Sequence, residues 1–174
     1  MSLVLLNEDM KAVVAACRLG FVATVTPEGR PNLSPKGTVR VFDDHHLVFC
    51  DIASPGTRAN LERNPWMEIN VVDPVSRRGY RFLGRAMPHA GDAIYEAVTA
   101  RVFREEGATY GVEAVVLLAV ERALPIVSPG YDHLADENAM RTMWKRRREL
   151  LESEFEAHLA RRGPWPGGAM EESE

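Results

Sequence analysis

Apolar residues recur along this chain with two different periods. Met10, Val13, Val14 and Cys17 are spaced as on one face of a helix, with Asn7 placed to cap it and Glu8 and Asp9 suited to its first turn. This predicts a helix over 8–18, ending by Gly20. Residues 21–26 are β-rich, Pro27-Glu-Gly-Arg30 has turn chemistry, and an extended run over 31–42 stops at Asp43-Asp44 before a further apolar stretch at 47–50. These three runs predict a meander. Ser54-Pro55 opens a short helix over 57–63, because proline is tolerated in a first turn, and Asn64-Pro65 closes it. Strands are then predicted over 66–72 and 79–87 around the Asp73-Pro74 turn, and over 112–120. Between the last two, Ala93, Ile94, Ala97, Val98 and Val102 mark a helix reaching Glu106. From 136 to 162 a long helix carries an incomplete apolar stripe of Met140, Met143, Trp144, Leu150, Leu151, Phe155 and Leu159 among charges.

Six strands with flanking helices make the chain mainly β with helices, an α+β protein. Short turns between the first three strands leave no room for crossover helices, which disfavours a parallel sheet. A six-stranded antiparallel barrel is favoured over an open sheet because closure removes exposed edges.

Length and composition narrow the class further. A chain of 174 residues with 45% hydrophobic and 26% charged residues suits one domain, expected over 1–162. The Gly- and Pro-rich run at 163–168 and the acidic end after it are expected to be a disordered tail. A net charge of -4 gives no electrostatic case for nucleic acid. Cys17 and Cys50 are too few for a disulfide framework and lack the spacing of a structural zinc site, so both read as small buried residues in a reducing compartment. No segment has the apolar length of a membrane helix or the pattern of a signal peptide, so a cytoplasmic protein with no membrane partner is expected.

Two segments carry candidate chemistry. Ser34-Pro35-Lys36-Gly37 puts a proline and a lysine inside a β run, where the backbone is expected to leave the ladder and offer amides and an ammonium to an anion. An edge bulge whose lysine deters aggregation explains the same four residues equally well. The second is Ser54-Pro55-Gly56-Thr57-Arg58-Ala59-Asn60, which gathers hydroxyls, free amides and an arginine at a positive helix end suited to a phosphate dianion. Simple N-capping with a solvated Arg58 is the competing reading of that segment alone. Together the two segments favour the anion.

At these residues, and through the stretch 20–37, the run 49–61 and the hairpin carrying Gly79-Tyr-Arg-Phe-Leu-Gly-Arg85, the sequence resembles the pyridoxamine 5′-phosphate oxidase-like family of FMN-binding split barrels. The resemblance spans about 8–128 and implies a six-stranded antiparallel split β-barrel with flanking helices and a long C-terminal helix. It also implies a homodimer with FMN at the subunit interface. Carried over by position, Lys36, Ser54, Thr57 and Arg58 contact the FMN phosphate and Asn60 supports that turn, while Ser34, Pro35, Asp51 and Ile52 lie along the ribityl chain and ring. The C-terminal arginine and histidine arrangement of the oxidase proper has no counterpart here. The expected activity is therefore a flavin-dependent oxidoreductase acting on an unidentified small molecule, with a nicotinamide donor as one option. The alternatives are a non-catalytic flavin-binding or storage protein and a barrel for another phosphate-bearing ligand such as a deazaflavin, pyridoxal 5′-phosphate or a haem-related partner.

Other polar clusters read as structural. His45 and His46 beside Asp43-Asp44 sit in a hairpin tip whose adjacent side chains cannot converge on one ion. Lys145-Arg146-Arg147-Arg148 is followed by Glu149, Glu152, Glu154 and Glu156 at ion-pairing spacings, which predicts a solvated helix. Trp144 on the stripe reads as packing, and Tyr131 stays open between packing and stacking on a flat ligand.

Overall fold

A computed structural model of the chain describes residues 2–107, 111–134 and 136–162. The expected tail at 163–174, and the side chain of Leu159, lie outside the described residues. The chain divides into two compact units, one of residues 1–73 with 77–128, the other of 74–76 with 129–174.

The larger unit begins with α1 (Glu8–Cys17), where Asn7 accepts a hydrogen bond from the Met10 amide at 2.9 Å, as its capping position predicts. Seven strands follow: β1 (Gly20–Val25), β2 (Pro31–Lys36), β3 (Arg40–Val41), β4 (His46–Asp51), β5 (Trp66–Val72), β6 (Arg78–His89) and β7 (Ala114–Val127). Helix α2 (Pro55–Arg63) separates β4 from β5, and α3 (Ala93–Glu106) separates β6 from β7. All pairings are antiparallel, in the order β2-β1-β5-β6-β7-β4-β3.

The expected six strands become seven because the run 31–42 is broken at Gly37-Thr38, which turn out of the ladder and leave β2 and β3 as separate strands. That break shapes the barrel. β2 and β3 are the two ends of the strand order, yet residues 37–39 are all that joins them. Six inter-strand spacings would set the two edges about 29 Å apart in a flat sheet, whereas the four Cα steps from Lys36 to Arg40 span at most about 15 Å. The sheet must therefore curl and bring its two edges towards each other at this point.

At the seam a side chain stands in for a strand. Thr38 Oγ1 accepts from the Cys50 amide at 2.9 Å and donates to the Cys50 carbonyl at 3.3 Å, filling the place on β4 where β3 has run out. Inside the curl, Leu6, Val14, Val22, Phe49, Ile69, Phe82 and Leu118 form the main core. Val48, Cys50 and Val115 face the other way and pack with Val98 and Val102 of α3. Because β4 is covered on both faces, its sequence reads as an unbroken apolar run instead of an alternating one.

In the smaller unit, a 3₁₀ turn (Pro129–Asp132) precedes α4 (Glu137–Arg162). Tyr131 donates to the Ser76 carbonyl at 2.7 Å, a structural bond within that unit. No helix among the described residues is long and apolar enough to cross a membrane.

Candidate functional site

Where β2 turns away from the sheet and β4 runs into α2, the two predicted segments come together. Lys36, the last residue of β2, is only 6% exposed, and its ammonium donates to the Ser54 hydroxyl and lies 3.5 Å from Asp51 Oδ1. The ring of Phe49 supports it from 5.6 Å. Ser34 Oγ is 3.5 Å from Ser54 Oγ. Ser54 occupies the N-cap position of α2 but makes no side-chain cap; its hydroxyl turns towards Lys36. Two hydroxyls and a buried ammonium thus converge at one corner.

That corner opens on a cavity of about 460 Å³, within the size range of small-molecule and cofactor sites. Of the nine residues named from the sequence, Ser34, Pro35, Lys36, Ile52 and Ser54 line it. Asp51 lies beneath, fully buried, so its carboxylate acts as a counter-charge behind the wall. Arg58 Nε approaches Asp51 Oδ2 to 3.2 Å and the same guanidinium pairs with Glu113, so Arg58 is engaged by two carboxylates and is not among the lining residues. Thr57 and Asn60 are buried and do not line the cavity. Asn60 donates to Thr24 Oγ1 at 3.0 Å, and Asn32 donates to the same hydroxyl at 3.1 Å and towards Thr57 Oγ1 at 3.5 Å, so this relay ties the first turns of α2 to β1 and β2.

The lining also includes Thr38 and Glu106, which the sequence did not single out, and Cys50, which it read only as a small buried residue. Cys50 is buried, as a small core residue should be, and burial pushes its thiol above the usual range, which keeps it protonated. Glu106 ends α3 and pairs with Arg40, whose guanidinium also holds Glu105 at 2.9 Å and the Thr38 carbonyl at 2.9 Å. No local pattern near Glu106 marks it. The spacing that brings it to the cavity is set by α3 packing on β4, a contact visible only in three dimensions.

The Glu105 carboxyl is held down to about 2 by Arg101 first and Arg40 second. A depressed carboxyl stabilises the fold above its ordinary value near 4.5, and the contribution disappears as pH falls from there through about 2. Acid melts should therefore show a fall in Tm between about pH 4.5 and pH 2 that Glu105→Gln makes shallower; an unchanged profile in that variant would remove Glu105 from the account.

The two histidines of the β3–β4 hairpin have structural partners. His46 Nδ1 is 2.7 Å from Asp43 and His45 Nδ1 is 3.0 Å from the Val4 carbonyl. No group of three histidine, cysteine or acidic side chains among the described residues is arranged to hold a metal ion.

The sequence profile described as pyridoxamine 5′-phosphate oxidase matches residues 6–125. Among solved structures, the chain is similar to tagged HupZ from Group A Streptococcus, with 34% identity, 70% of this chain and 94% of that chain covered, and a TM-score of 0.64. It is also similar to a putative pyridoxamine 5′-phosphate oxidase from Lactobacillus delbrueckii, with 25% identity, coverage of 69% and 93%, and a TM-score of 0.60. An FMN-binding protein from Syntrophomonas wolfei shares the fold at 14% identity, with 71% and 87% covered and a TM-score of 0.61. No curated protein matches the sequence.

Proposed function

Since the chain belongs to the pyridoxamine 5′-phosphate oxidase family, we propose that its cavity holds FMN by the phosphate and that it is a flavin-dependent oxidoreductase for a small molecule. The observation that carries this reading is the convergence of the Lys36 ammonium with the Ser34 and Ser54 hydroxyls at one end of a cavity of cofactor size. A dianionic phosphate there accepts charge-assisted hydrogen bonds from donors that folding has already oriented. Ser54, free of capping duty, is one such donor. Arg58 adds positive charge, and Asp51 fixes both cations in place.

When bound, FMN supplies hydride or electron transfer. The chain's part is to bind and orient: Pro35 and Ile52 offer apolar surface, and Thr38 and Glu106 offer acceptors for the hydroxyls of a polyol chain. A nicotinamide donor fits such chemistry. The partner that fits the site is a second copy of the chain. Phe21 and Leu33 are 45% and 65% exposed on the outer face of the β1–β2 hairpin, next to cavity-lining Ser34 and Pro35, and a subunit covering them also walls the open side of the cavity.

Titration of the purified protein with FMN and with riboflavin, followed by flavin fluorescence, tests the reading. FMN is expected to bind at least about a hundredfold more tightly, since two or more charge-assisted hydrogen bonds depend on its phosphate. Equal affinities would overturn the phosphate-led site, and failure to bind either flavin would overturn the cofactor. Turnover with NADH or NADPH then separates an oxidoreductase from a flavin store.

A further inference from the structure

We propose that the outer part of α4 is a self-association surface that takes the same segment of a second copy of this chain, antiparallel, about a two-fold axis near Leu151. This segment lies beyond the residues matched by the family. Every side chain from Lys145 to His158 is exposed, and Leu150, Leu151 and Phe155 are 59%, 48% and 59% exposed within two helical turns. Leu151 and Phe155 stand four residues apart on one face, in line with Trp144 one heptad earlier, and Leu150 and Met143 flank them seven residues apart. Solvation accounts for the charges of this helix but not for a run of large apolar side chains held in water.

Charge order selects the occupant and its direction. Lys145, Arg146, Arg147 and Arg148 come first, and Glu149, Glu152, Glu154 and Glu156 follow. A parallel pairing stacks four cations on four cations. An antiparallel pairing centred near Leu151 sets Arg147 and Arg148 of each copy beside Glu154 and Glu152 of the other, with the leucines and Phe155 between them. The same patch then serves both subunits, as a closed two-fold contact requires. Along this stretch of the single chain, Arg148 pairs with Glu152 at 2.7 Å with side chains 66% and 57% exposed, so the pair can exchange partners cheaply. A patch of a few side chains is smaller than the roughly 1,200–2,000 Å² of a stable interface, so the contact is concentration-dependent unless other surfaces join the same two copies.

The proposal does not rest on the flavin reading, since none of these residues lines the cavity. It is tested on the full chain by disulfide cross-linking in a Cys17→Ser, Cys50→Ala background. Leu151→Cys is expected to cross-link at least about tenfold faster than Ser153→Cys, which sits on the opposite face. With the native cysteines kept, sedimentation equilibrium should show self-association weakened about tenfold by Arg147→Glu with Arg148→Glu, and likewise by Glu152→Lys with Glu154→Lys, and restored when the two variants are mixed. Equal cross-linking at the two positions, or a Leu151→Cys cross-linking rate indifferent to the charge reversals, overturns the proposal whether or not the barrels pair.

Discussion

The Lys36→Met variant is expected to melt about 6–12 °C below the wild-type protein and to lose its preference for FMN over riboflavin. Two separate effects meet at this residue. Asp51 is fully buried and its carboxylate faces Lys36 and Arg58, with Oδ2 receiving no hydrogen bond among the described residues. Removing one partner of a buried ion pair leaves charge without compensation and costs about 3–5 kcal/mol; Arg58 remains 3.2 Å from Oδ2, which favours the lower end. For a chain of this size each kcal/mol moves Tm by about 2–4 °C. The binding effect is independent, because the ammonium is also the donor proposed for the phosphate. Adding Asp51→Asn separates the two: most of the lost stability should return while the phosphate preference stays lost. A single variant as stable as wild type would end the counter-charge argument, and a double variant that still prefers FMN would move the phosphate elsewhere.

Gly84→Ala should damage the fold at least as much without touching the cavity. A Cβ at Gly84 falls 1.9 Å from the Ala119 carbonyl oxygen, which is backbone and cannot swing aside. The crowding comes from the irregularity in the β6–β7 ladder. Leu83 faces Arg122 but Gly84 faces Val120, so Glu121 is an extra residue that bulges β7 against its neighbour. Forcing the strands apart at their longest ladder should cost about 3 kcal/mol or more, the upper range for overpacking. Thermal or urea unfolding reads this directly. A variant within about 0.5 kcal/mol of wild type, the range of neutral surface changes, would show that the ladder yields more easily than its geometry suggests.

That bulge also explains where the sequence was hard to read. The last strand was predicted over 112–120 because the charged pair Glu121-Arg122 and Pro125 break the apolar pattern, yet β7 continues to Val127. An extra residue shifts the alternation by one, so the two halves of β7 obey the period-two rule in different registers. Asn7, Pro55 and Asn64 act through the backbone of their own helices, and their signals were legible. Lys36 and Ser54 were legible as chemistry because their residue types are out of place in a strand and at a helix start. Asp51 was named on the right strand but its role is set by burial, which depends on Lys36 and Arg58 arriving from other elements. Thr38 and Glu106 gave no signal at all. One bonds across the seam and the other reaches the cavity from a helix packed on the outer side of β4.

The seam dictates an order of assembly as well as a shape. β1 and β2 close on a short turn and β3 and β4 on another, so both halves of the Lys36–Ser54 corner belong to segments that can form from nearby chain. β4 has no lasting second neighbour until Leu47 meets Leu118 and Phe49 meets Val116, far later in the chain. Contacts of such separation are the slow ones in folding, because the intervening chain must be immobilised before they return any energy. On a ribosome the corner therefore remains two loosely tethered hairpins until β7 has emerged, and a ligand that needs both sides at once can select only chains whose synthesis has passed that strand.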